Sequence, residues 1–163
     1  DEALRIRKEE QLPVYERLGD VRERAVTMGK IADILSARGD LDEALRIRKE
    51  EQLPVYERLG DVRERAVTMG KIADILSTRG EFDEAIRIRK MEEHPTYENL
   101  GDLVNLTMGR RELAVTLLQR GAPGDREEAK RLLLSALDDA RRLKIPEAKR
   151  IGRILRSIEE EGQ

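Results

Sequence analysis

The sequence predicts an all-α fold, a solenoid of about three and a half stacked 41-residue repeats closed by a C-terminal capping helix. Three observations predict it. Residues 1–41 recur at 42–82 with three differences, Ala37 to Thr78, Asp40 to Glu81 and Leu41 to Phe82, and a diverged third copy starts at Asp83. A constant period near 40 residues marks supersecondary units that bury their apolar faces on their neighbours. Apolar residues recur at spacings of three and four, and no segment alternates with the period of a strand. Charged residues make up 40% of the chain and aromatics 2%, against roughly 25% charged in an average globular protein.

The elements follow from their own punctuation. Residues 1–18 read as the unpaired second helix of a truncated repeat, an expectation that makes the chain a cut through a longer array. Helical hairpins are expected over 19–59, 60–100 and 101–143, and the capping helix over 146–160. In the first hairpin Val21, Ala25, Met28, Ala32 and Leu35 form one stripe that Ile31 and Ile34 widen. Gly39 ends this helix near Arg38, as a left-handed C-cap residue does. In the next unit Asp61 is the expected N-cap of a helix running to about Arg79, with Glu64 completing a capping-box-like pair. The intervening helix runs from about Asp42 to Leu59, where Gly60 stops it.

Pro54 interrupts that helix. It removes one backbone donor, its ring clashes with the carbonyl of Glu50, and it pushes Leu53 from helical angles. The apolar stripe stays in phase across it, which predicts one kinked helix or two short collinear ones, repeated at Pro13 and Pro95. Beyond Gly121 a turn at 122–125 leads to a helix with Ala129, Leu133, Ala136 and Ala140 on its apolar face. Pro146 opens the last helix, with the stripe Ala148, Ile151, Leu155 and Ile158. Its opposite face carries Lys149, Arg150, Arg153 and Arg156. The run Glu159–Glu161 follows at once, so these basic residues read as a solvated face.

The stretch Arg38-Gly39-Asp40-Leu41-Asp42-Glu43-Ala44 resembles the turn of the tetratricopeptide repeat (TPR), and Gly80 with Ala85 matches it in the next unit. Leu-Gly-Asp at 18–20, 59–61 and 100–102 resembles the inter-repeat turn of longer-helix relatives in bacterial signalling proteins. The resemblance spans essentially the whole chain. It implies a right-handed superhelix of antiparallel helix pairs that binds other proteins. The repeat departs from the family in its length and in holding Arg48 and Glu51 where the family has an aromatic residue and an alanine. The same pair stands at Arg7/Glu10 and Arg89/Glu92, which predicts a partly buried ion pair between stacked units.

Chemistry is sparse. His94 is the only histidine and reads as a drifted surface or edge position, and there is no cysteine. No clustered metal ligands, phosphate cradle or activated serine is legible, so the chain reads as non-enzymatic, without metal or cofactor. Thirty-two basic residues stand against 34 acidic ones, a net charge of -2, which argues against a nucleic-acid partner. No apolar run reaches the roughly 18 residues of a membrane span and no signal peptide opens the chain, which predicts a cytoplasmic protein.

The expected function is a protein-interaction scaffold, a fragment of a larger signalling or regulatory protein, with a protein or peptide partner. By analogy with the family, the concave face is expected at Val26, Gly29, Asp33 and Ala37, at Val67, Gly70, Asp74 and Thr78, and at Arg111, Val115 and Gln119. Small residues there leave room for a ligand segment, or else Gly29 and Gly70 permit close helix packing. A rival reading is homo-oligomer formation through the open helix 1–18, with Leu4, Leu12, Val14 and Leu18 as the self-association end. A third is a sequence built to study repeat folding.

Overall fold

The computed structural model describes residues 2–160. Asp1, the expected start of a repeat, and Glu161, the last of the acidic run, lie outside the described residues. Eight continuous helices account for 88% of the structure, and no strand is present among the described residues. They are α1 (2–18), α2 (Val21–Arg38), α3 (41–59), α4 (Val62–Thr78), α5 (82–100), α6 (Leu103–Arg120), α7 (Asp125–Arg142) and α8 (Glu147–Glu160).

The punctuation works as the residue types dictate. The carboxylate of Asp61 accepts the Glu64 N–H at 3.1 Å, and Asp20 and Asp102 accept from Glu23 and Asn105 at 3.0 and 3.2 Å. Each satisfies one of the donors a helix start leaves open. Gly39 and Gly60 sit at φ of 86° and 64°, where a Cβ is strained, so glycine ends the helix at least cost.

The chain forms two compact units, one through Ile75 and one from Leu76. In the first, α2 packs against both α1 and α3. Its core gathers Met28, Ile31, Ala32, Leu35, Ala44, Ile47 and Ile75, with Leu4, Leu12 and Leu41 packed against it. In the second, α6 packs against α5 and α7, and α7 against α8. The expected α8 stripe is covered there: Ile151, Leu155 and Ile158 are at most 7% exposed, each contributing about 1.5–3 kcal/mol. The basic residues of α8 face solvent, as expected.

Prolines 13, 54 and 95 leave α1, α3 and α5 continuous. A π-helical turn precedes each of them, over Ile6–Gln11, Ile47–Gln52 and Arg89–Glu93. The Leu53 N–H reaches back five residues to the Arg48 carbonyl. Leu53 keeps helical angles, φ -57° and ψ -47°, which corrects the expectation that proline drives it out of the helix. The wider turn shifts the carbonyl ladder away from the proline ring, so the steric conflict is relieved locally.

Candidate interaction surfaces

The π turns reassign the buried charges. Ala44, Arg48, Gln52 and Tyr56 are all buried, and so are their counterparts Ala85, Arg89, Glu93 and Tyr97. Arg48 is only 3% exposed; it donates to Asp33 Oδ1 at 2.6 Å, Gln52 Oε1 at 2.8 Å and the Gly29 carbonyl at 3.4 Å. Burial pushes the Arg48 pKa down, opposed by the charge of Asp33. Arg89 donates to Glu93 at 2.7 Å. The expected partner Glu51 instead binds Arg24 and Arg46 at 3.1 and 3.0 Å, and Glu92 lies 3.7 Å from Arg87. The expected i,i+3 pair is thus an i,i+4 pair in α5 and an i,i+4 arginine–glutamine contact in α3, the other of the two spacings that share a helix face.

His94 is the second correction. It is buried on α5, 8% exposed, against Gly109 of α6. A Cβ at Gly109 would stand 3.0 Å from His94 Nε2. Burial depresses the imidazole pKa to about 4; contact with the Gly109 backbone opposes this, and the Arg89 and Arg110 charges reinforce it. It is a neutral packing residue at pH 7.

The residues of the expected concave face have individual surroundings in each unit. Gly29 is buried under α3, where a would-be Cβ would collide with the Gln52 side-chain amide. Gly29 therefore gives room to Gln52 rather than to a ligand, and Asp33 serves Arg48 and, at 3.5 Å, Lys71. Val26, Val67 and Asp74 are half-buried, Gly70 is buried, and Ala37 and Thr78 are exposed. In α6 Arg111 pairs with Glu147 and Glu112. Val115 and Gln119 line a half-open cleft of about 530 Å³ with Leu118, Arg126, Ile154 and Ser157. At the expected self-association end Leu4 and Leu12 turn inward onto the core, while Val14 and Leu18 are 39% and 72% exposed.

A different apolar feature recurs with the repeat. Leu18 and Val21, Leu59 and Val62, and Leu100 and Leu103 flank the three Gly-Asp turns, and all are at least 40% exposed. Each pair is rimmed by an ion pair: Arg24–Glu16 at 3.3 Å, Arg65–Glu57 at 3.4 Å and Arg110–Glu98 at 3.5 Å. Arg22 bonds Asp61 at 2.6 Å, tying the first turn to the second. The signal for these aliphatic residues is the Leu-Gly-Asp motif together with the aliphatic residue that follows Asp20, Asp61 and Asp102. Their chemistry is that of contact: aliphatic surface ready for desolvation inside a polar rim. Among the described residues no group of three or more metal-ligating side chains converges. Comparison with protein-family models and with curated proteins finds no match to this chain.

Proposed function

We propose that the chain is a non-enzymatic protein-interaction scaffold, a TPR-like right-handed solenoid of antiparallel helix pairs that holds a protein or peptide partner. The observation that carries this reading is the exposed aliphatic pair kept at every Gly-Asp turn. The third copy retains it, as Leu100 and Leu103, although it has changed Gln52 to Glu93 and Leu53 to His94 between the same landmarks. Core packing does not require these side chains in solvent, whereas a partner surface does. The near balance of charge favours a partner held by apolar contact over one held by long-range attraction.

The test is a peptide-display selection on the whole chain, followed by nuclear magnetic resonance titration of the enriched peptides. Shifts at residues 18–22, 59–63 and 100–104, abolished by Leu59→Asp with Val62→Asp, support the reading. Enriched peptides that ignore these substitutions, or no enrichment, overturn it.

A further inference from the structure

The helix 2–18 has the same sequence as 43–59, yet the two are covered differently. In α3, Arg48, Gln52, Val55 and Tyr56 are all buried. In α1 no residue is buried, and Val14 is 39% exposed where Val55 is 6% exposed. What covers α3 is α2, through three contacts. Ala25 packs on Val55 and Tyr56. Gly29 lies under Gln52, and Asp33 takes the Arg48 guanidinium. The corresponding residues of α1 are Val14 with Tyr15, Gln11 and Arg7. Arg7 bonds Gln11 at 3.2 Å, and among the described residues no carboxylate meets it as Asp33 meets Arg48.

We infer that the open face of α1, formed by Arg7, Gln11, Val14 and Tyr15, is a docking site for a helix of the α2 type, bearing Ala, Gly and Asp at successive intervals of four. The partner is thus a further repeat of this kind, recognised by a three-part code. The alanine permits close approach to Val14 and Tyr15. The glycine clears space for the Gln11 side chain, and the carboxylate neutralises Arg7. An identical surface already accepts this helix within the same molecule, so shape and charge complementarity are demonstrated rather than supposed. Both copies of that helix in the chain, α2 and α4, already bury their apolar stripes. The occupant is therefore a further copy of this helix, distinct from α2 and α4. This inference does not rest on the turn-flanking surface proposed above, and their substitutions are separate.

The test uses the whole chain with a fluorescent synthetic peptide of residues 20–39. Expected are saturable one-to-one binding by anisotropy, a protein that is monomeric by light scattering without peptide, and slowed amide exchange in 2–18. In the peptide, Asp33→Ala weakens binding about tenfold, the factor set by one charge-assisted hydrogen bond, and Gly29→Leu abolishes it. In the protein, Val14→Asp abolishes binding at a solvent-exposed position, and Arg7→Met removes the dependence on the peptide's Asp33. Absence of binding, protection confined to 41–59, or indifference to both protein substitutions overturns the inference. A dimer of the chain alone also overturns it, since the occupant would then be a second copy.

Discussion

Glu93→Ala tests the buried ion pair of α5 most directly. Glu93 and Arg89 are 5% and 2% exposed and 2.7 Å apart. At an effective dielectric constant of 20 their attraction is about 6 kcal/mol, and desolvation of two ions offsets most of it. The intact pair contributes little net stability. Removing Glu93 takes a carboxylate away from a buried guanidinium and costs about 3–5 kcal/mol, a melting-temperature drop of about 6–20 °C for a chain of this size. Replacing both, Arg89→Met with Glu93→Leu, removes the charges together and returns stability to within about 2 kcal/mol of the parent. The assay is urea unfolding followed by circular dichroism, with the parent, Arg89→Met, Glu93→Leu and the double variant forming a double-mutant cycle. A Glu93→Ala cost below about 1 kcal/mol, or a double variant as unstable as the sum of the singles, would refute the reasoning.

Three further outcomes are expected. Gly109→Ala places a methyl group 3.0 Å from His94 Nε2; the overpacking of about 1–3 kcal/mol exceeds the gain in helix propensity of up to about 1 kcal/mol, so urea unfolding shows net loss. His94, depressed from 6.5 to about 4, binds a proton more readily unfolded than folded. Its contribution is complete above pH 6.5 and declines as pH falls towards 4, by up to about 3 kcal/mol. His94→Leu flattens that part of the stability–pH curve, and a variant that tracks the parent would exclude the buried neutral imidazole. Asp20→Ala costs about 0.5–2 kcal/mol through its lost cap. Asp61→Ala costs up to about 1 kcal/mol more, because its carboxylate also holds the half-exposed Arg22 at 2.6 Å; equal melting temperatures would remove Arg22 from the account.

The helical boundaries were legible because they rest on local rules. Asp61 and Gly60 mark their helix ends by side-chain oxygen and by the absence of a Cβ, and α2 runs over Val21–Arg38 as its stripe predicts. The faces within α1, α3 and α5 were not legible. Residues three and four positions on share a helix face, so the wheel alone does not choose between Glu51 and Gln52 for Arg48, and the structure pairs it with Gln52 and Asp33. Proline predicts a break in the carbonyl ladder, and the backbone meets it with a π turn ahead of Pro13, Pro54 and Pro95. Burial of His94 depended on the opposed Gly109, fifteen positions away in sequence, and no local pattern reports such a contact. The small residue Gly29 was visible, but whether its space belongs to a ligand or to Gln52 is a matter of tertiary packing.

The π turn also sets the rotational phase of the chain that follows it. Four residues of α-helix advance about 400°, so a row at every fourth position drifts by about 40° per step. Over the three steps from Ala44 to Tyr56 that amounts to about 120°, enough to swing the tyrosine off the face shared with Ala44. One extra residue in the turn removes about 100° of it, and all four residues of the row are buried. A single-residue deletion within 47–52 would consequently act at a distance, rotating Val55 and Tyr56 away from Ala25. Pro54 guards against that slippage, since a tightened turn would bring its ring back against a carbonyl. The three prolines serve as phase locks, each fixing which side of its helix the next two turns present.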